Sequence, residues 1–230
     1  MKIKTIIYDY GGVIMTSAQE EAVRRFSEIG IVPDLMPLDK YNQQGVFLAL
    51  EDGSITADEF RDELNRRCGR NNTHDDYRWA CLGYVGEIPK RNLQLFRLLR
   101  QKSYRQLLLS NTNPYMMSWA MSPDFDGEGR ALCDYLDACY CSYELRMLKP
   151  NPAIFQFVID HENITPETTI FVDDNESNIR VARDMGFHTL QPVNGVDWTT
   201  DLLHQLDDFG GMTRKLPLRC IKAKSLSNPS

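Results

Sequence analysis

Four places in this 230-residue chain carry side chains whose types and order suit one chemistry. Asp9 follows the apolar run from Ile3 to Tyr8, and Ser110 follows Leu107-Leu108-Leu109. Lys149 stands before Pro150, and Asp173-Asp174 follows Ile170-Phe171-Val172. A hard divalent cation takes carboxylate oxygens. Phosphoryl oxygens take a cation, an ammonium and hydroxyl or backbone donors. A carboxylate can also act as nucleophile and divide a hydrolysis into two easier steps. Phosphoryl transfer uses this whole set. Each residue alone has a plainer reading. Asp9 alone is a turn or cap, Ser110-Asn111-Thr112-Asn113 a polar turn, Asp173-Asp174-Asn175 an N-cap cluster, and Lys149 a solvated lysine. The specificity lies in their order and position.

An open parallel sheet would hold such residues together, because ligands bind at the carboxyl ends of its strands. Five short apolar runs fit it: Ile3–Tyr8, Leu107–Leu109, Ala138–Cys141, Ile170–Val172 and the weaker His188–Leu190. Helical patterns lie between most of them. Ser17–Glu20 and Thr56–Glu59 read as capping boxes, with Ile55 and Phe60 as a staple. Pro89 and Asn151-Pro152 open helices. Gly30, Gly69 and Gly186 close them. About 90 residues separate the first two strand runs, too many for one crossover helix.

The expected fold is therefore α/β. A Rossmann-like parallel core with helices on both faces comes from residues 1–15 and 89–208, and a small helical cap of residues 16–88 is inserted after strand one. Residues 209–230 hold Arg214, Lys215, Arg219, Lys222 and Lys224 without an acidic residue, and are expected to be a flexible tail.

The net charge is −6, so nothing in the overall field favours nucleic acid or an anionic membrane. A phosphate ester must then be held by local positive charge. No apolar run approaches the roughly 18 residues that span a bilayer. Asp9 interrupts Ile6-Ile7-Tyr8 too soon for a signal peptide. The expectation is a cytoplasmic protein acting on a small phosphorylated substrate. The six cysteines and four histidines show no metal or redox spacing. Oligomeric state is not set by the sequence.

Ile6-Ile7-Tyr8-Asp9-Tyr10-Gly11-Gly12-Val13 resembles the first motif of the haloacid dehalogenase-like hydrolases. Leu107–Ser110 resembles the second, Lys149-Pro150 the third, and Phe171-Val172-Asp173-Asp174 the fourth. The resemblance covers about residues 1–208. Leu109–Asn113, Glu51–Thr56 and Asp173–Asn175 are most similar to the branch with glucose-1-phosphate phosphatase and the N-terminal phosphatase domain of epoxide hydrolases.

The resemblance implies a Mg²⁺-dependent phosphohydrolase working through an aspartyl phosphate. It implies Asp9 as nucleophile and metal ligand, with the Gly11 carbonyl and Asp174 as further ligands. Ser110, Asn111 and Lys149 would bind the phosphoryl group. Asp173, pointing away from Asp174 at the strand end, would stand behind the ligands, with Asn178 on the same helical face as Asp174.

The sequence departs from the family at Gly11, where phosphatases usually carry a second Asp as general acid and base. General acid catalysis is typically worth about 10²- to 10⁴-fold. The loss suits a substrate with an easy leaving group, such as an anomeric sugar phosphate. Two rival readings are a metal-free dehalogenase and a catalytically weak relative that binds a phosphorylated metabolite or a protein. The substrate is left to the cap, where Tyr41, Asn42 and Tyr84 could face either the site or solvent.

Overall fold

The computed structural model describes residues 2–35 and 43–210. Tyr41 and Asn42 lie outside the described residues, as does the tail from residue 211 onward. Strand β1 (Thr5–Tyr8) is followed by helices α1 (Gln19–Glu28), α2 (Gly45–Glu51), α3 (Ala57–Cys68) and α4 (His74–Cys81). Helix α5 (Lys90–Gln101) leads to β2 (Arg105–Ser110), and α6 (Pro114–Ala120) precedes β3 (Ala138–Cys141). Helices α7 (Ser142–Leu145) and α8 (Pro152–Glu162) come before β4 (Thr169–Val172). Helix α9 (Glu176–Asp184), strand β5 (His188–Leu190) and helix α10 (Thr199–Gly210) complete the order.

The five strands form one parallel sheet in the order β3-β2-β1-β4-β5. Both faces are covered, as the unbroken apolar strands require. Alternate residues serve opposite layers. Ile6, Tyr8, Leu108 and Val172 pack with Leu93, Phe96 and Leu202 from α5 and α10. Ile7, Leu107, Leu109 and Phe171 pack with Phe155 and Ile179 from α8 and α9. One polar pair runs through the first layer. The Tyr8 hydroxyl donates to Gln106 at 3.1 Å, and the Gln106 amide donates to the Phe96 carbonyl at 2.9 Å. Each buried polar group is thereby satisfied.

Most helix ends follow their sequence signals. Thr56 caps α3 in a full capping box, and Gly69 closes that helix in the left-handed region at φ 60°. Asn151 caps α8 with Pro152 in its first turn. Pro89 stands at the N-cap of α5, just outside the helix.

The Ser17–Glu20 box does not form: Ala18 is the N-cap of α1, and no side chain caps it. Ser17 is drawn instead to Asn194. Its N–H donates to Asn194 Oδ1 at 2.9 Å, and its carbonyl accepts from Nδ2 at 3.1 Å. A box that the sequence pattern did not reveal, Thr73 with Asp76, starts α4. At the other end of the chain, α10 runs to Gly210, and the Phe209 ring lies 4.1 Å from that of His188.

The loop after β1 is fixed from both flanks. The Asn92 amide donates to the carbonyls of Val13 and Ile14 at 2.8 and 3.1 Å, and the Trp198 indole N–H donates to Val13 at 3.1 Å. This loop carries Gly11 and Gly12 to the carboxyl edge of the sheet.

Candidate active site

The parallel register sets the site's geometry. Tyr8 pairs with Val172 across β1 and β4, so the next residues, Asp9 and Asp173, stand side by side at the strand ends. Ser110 ends the neighbouring β2. One cavity at this edge is lined by Asp9, Gly11, Ser110, Lys149, Asp174 and Asn178, together with Asn111 and side chains from the inserted helices. Asp173, also singled out from the sequence, stays out of the cavity lining and is fully buried beneath.

Asp9 Oδ1 accepts from the Tyr10 N–H at 2.7 Å and contacts Lys149 Nζ at 2.9 Å. Among the described residues no hydrogen bond takes Oδ2. Lys149 is 4 % exposed, and its ammonium also reaches Asp173 Oδ2 at 2.6 Å. Burial alone would push this ammonium down; the carboxylates of Asp173 and Asp9 outweigh it and leave the group raised. Lys149 therefore stays charged.

Asp173 accepts from three donors. Lys149 Nζ and Asn178 Nδ2 (2.9 Å) take Oδ2, and the Asn175 N–H takes Oδ1 at 2.8 Å. Burial raises its carboxyl first of all; Lys149 counters this, and the Asp9 charge adds to the rise.

Asn111 lines the cavity, and its side chain is bonded to the Lys149 main chain. Its amide donates to the Lys149 carbonyl at 2.9 Å, and its oxygen accepts from the Lys149 N–H at 2.9 Å. The side chain is spent on holding the Lys149 loop, which contains a cis Lys149-Pro150 bond.

One oxygen each from Asp9, Asp173 and Asp174 lies within 4.8 Å of the others. A hard, oxygen-seeking cation suits such a set, and three carboxylates this close repel one another without one. Asn178 Oδ1 adds a buried oxygen at the same cavity that has no hydrogen-bond partner. The donors present therefore fit a divalent ion of the magnesium kind.

The Gly11-Gly12 pair divides its work. Gly12 takes φ 77°, and a Cβ there would lie 2.2 Å from Asp174 Oδ2. The Asp174 carboxylate rests on bare backbone. Gly11 has no positive φ, and a Cβ would meet Ser17 Oγ at 3.0 Å. Gly12→Ala is expected to lower kcat by about 10²-fold or more through displacement of Asp174. The left-handed backbone adds a stability cost of roughly 1–2 kcal/mol. Steady-state kinetics beside thermal melts check both, and wild-type kcat would refute the contact's importance.

Residues the sequence left unassigned complete the cavity. Gln19, Gln43 and Tyr84 line it from the inserted segment, as does Glu51 at the end of α2. Tyr84, whose direction the sequence left open, thus faces the site. The Glu51 carboxyl is pushed up to about 8, first by burial and then by the charges of Asp9 and Asp52. No local spacing announces these four, because their approach depends on how the helices lie over the sheet.

A parallel sheet with carboxylates gathered at its edge defines a class before any particular relative. The sequence profile of the haloacid dehalogenase-like hydrolases matches residues 3–186, and the chain belongs to that family. Among particular relatives, D-ribitol-5-phosphate phosphatase of Bacteroides thetaiotaomicron is 46 % identical over 200 residues, which cover 87 % of this chain and 97 % of that protein. A HAD-like family hydrolase from Porphyromonas gingivalis superposes with a TM-score of 0.83 at 38 % identity, over 90 % of this chain and 98 % of that one. A HAD family enzyme from B. thetaiotaomicron, solved with magnesium and inorganic phosphate, gives 0.77 at 34 % identity, over 86 % and 98 % of the two chains.

Proposed function

We propose that the chain hydrolyses the phosphomonoester of a small phosphorylated metabolite, foremost a linear sugar-alcohol phosphate, with Asp9 as nucleophile. Its class is a magnesium-dependent phosphatase. The observation that carries the reading is Asp9 itself. Lys149 and the Tyr10 N–H hold one of its oxygens, and carboxylates that fit a hard cation stand beside it.

Residues 16–88 act as the cap and residues 1–15 with 89–208 as the catalytic core. Asp9, Asp174 and the Gly11 carbonyl would hold Mg²⁺, which would supply positive charge to offset that of the phosphoryl oxygens. Asp9 attacks phosphorus, and water later cleaves the aspartyl phosphate. Ser110 donates to a phosphoryl oxygen. Lys149 supplies a fixed positive charge inside the cavity of a protein whose net charge is −6. Asp173, with Asn178, keeps that ammonium in place, and Asn111 keeps its backbone in place. A metal-free dehalogenase would gain nothing from a second carboxylate, Asp174, facing an anionic substrate beside Asp9.

The substrate follows from similarity and lining together. The relative named for D-ribitol 5-phosphate aligns over nearly its whole length. The cavity offers Ser17, Gln19, Gln43 and Tyr84, which suit a row of hydroxyls. This replaces the anomeric phosphate that Gly11 suggested with a primary alkyl ester. No helix among the described residues is long and apolar enough to cross a membrane. The proposed setting is the cytoplasm, and the net charge of −6 leaves nucleic acid no general attraction.

Phosphate release from a panel of pentitol 5-phosphates, aldose phosphates, sugar 1-phosphates and p-nitrophenyl phosphate tests the reading. Pentitol phosphates are expected to lead in kcat/KM by about tenfold, some 1.4 kcal/mol of transition-state binding. Absence of Mg²⁺-dependent release from every member would overturn it.

A further inference from the structure

We propose that Glu51, at the end of α2, is the catalytic proton donor and acceptor of this site. The inference rests on the phosphatase reading above and adds a residue to it. Expulsion of a primary alkoxide needs a proton, and position 11 offers no side chain to give one.

Among the described residues, the titratable side chains lining the cavity are Asp9, Tyr10, Glu51, Tyr84, Lys149 and Asp174. Asp9 must stay ionised to attack, and Asp174 is committed to the cation. Lys149 is buried between two carboxylates that hold its proton. Tyr10 and Tyr84 are raised by burial far above neutrality. Glu51 remains.

Its placement is built by the fold. The Glu51 carbonyl accepts from the Ser142 hydroxyl at 2.6 Å, at the point where β3 ends. The same Ser142 oxygen accepts from the Thr112 N–H at 3.0 Å, just beyond Ser110. Gly53, at φ 73°, brings the following turn so close that a Cβ would lie 2.2 Å from the Tyr143 carbonyl oxygen. Asp52 holds that turn shut by accepting from the Ser54 N–H at 2.8 Å. These contacts fix the cap residue over the core edge by backbone. Substitution of its side chain therefore leaves the docking intact.

The protonation state agrees with the role. Charged or titratable neighbours of Glu51 are Asp9, Asp174 and Lys149 across the cavity, Asp52 on its own turn, and Cys81 and Tyr84 on the adjoining segment. Burial leads, the Asp9 and Asp52 charges follow, and the carboxyl sits at about 8. It carries its proton at neutral pH.

In the first half-reaction an Asp9 oxygen bonds to phosphorus and the ester P–O bond breaks. Its electron pair goes to the leaving oxygen, which takes the Glu51 proton and departs as the alcohol. In the second, the Glu51 carboxylate removes a proton from water while the water oxygen bonds to phosphorus. The phosphorus–Asp9 bond breaks, releasing phosphate and restoring both side chains.

The test compares wild type with Glu51→Gln on a series of alkyl and aryl phosphates of graded leaving-group pKa, with a pentitol 5-phosphate included. Thermal melts monitor folding. E51Q is expected to lose about 10²- to 10⁴-fold in kcat on alkyl esters and less than about tenfold on p-nitrophenyl phosphate. Its rate should depend on leaving-group pKa more steeply than the wild-type rate. The wild-type kcat on alkyl esters should fall as rising pH removes the Glu51 proton, and E51Q should lack that limb.

Adding Gly11→Asp to E51Q supplies a carboxylate where the backbone admits one, and should recover part of the alkyl-ester rate. Equal losses on alkyl and aryl esters, or none on either, would overturn the role of Glu51. Failure of the wild type on pentitol 5-phosphates would instead overturn the substrate reading, while the graded series still decides Glu51.

Discussion

Asp9→Asn is expected to lower turnover by roughly 10⁴-fold or more while the protein still folds. The change keeps shape and removes the attacking charge. It also reduces the Oδ1 ion pair with Lys149 at 2.9 Å to a hydrogen bond from the ammonium to a neutral amide oxygen, which argues for lost stability. Against this, the Asp9 charge is one of the groups raising the carboxyls of Asp173 and Glu51, so its removal relieves repulsion. The two effects oppose each other, and the melting temperature should move little. Phosphate release and thermal melts on the same preparation check this. Activity within about tenfold of wild type would exclude Asp9 as nucleophile.

The adjacent aspartates should fail in different ways. Asp173→Ala leaves Lys149 buried with Asp9 as its remaining carboxylate, and breaking a buried ion pair typically costs about 3–5 kcal/mol. Asp173 is also bonded to Asn175 and Asn178, so its loss loosens the start of α9. Asp174→Ala removes a carboxylate from the cluster and leaves both Lys149 ion pairs, to Asp9 and to Asp173, standing. It should weaken Mg²⁺ binding by about 10-fold or more while costing less stability than Asp173→Ala. Chelation of Mg²⁺ should abolish wild-type turnover. Urea unfolding and calorimetric Mg²⁺ titration separate the two variants. The reverse order, with Asp174→Ala the less stable and Asp173→Ala the poorer metal binder, would exchange their roles.

Much of this was legible in the sequence because it is local. A short apolar run followed by Asp, Ser or Asp-Asp marks a strand and the residue that leaves it. Each such run is a strand of the observed sheet. The parallel order then brings the ends together without further information.

Long-range choices were not legible. Ser17 has the pattern of a cap, yet Asn194, 177 residues away, takes its backbone. Nothing in the local sequence shows that the Asn111 amide fits the Lys149 main chain, 38 residues away. Glu51 stands in a stretch marked in the sequence only by its resemblance to relatives, and the Ser142 contact reveals what lies beneath it. Two successive glycines look alike in the sequence. Their surroundings differ, since Gly12 is pressed against a carboxylate and Gly11 has a serine hydroxyl nearby.

That last contrast bears on how the chain can vary over generations. Every missense change of a glycine codon introduces at least one carbon beyond the backbone. At Gly12 that carbon meets Asp174, whatever its chemistry, so natural variation there is expected to be purged. At Gly11 a single-base step to an aspartate or glutamate codon meets a hydroxyl able to turn aside. A lineage carrying this gene can therefore explore position 11 and is confined at position 12.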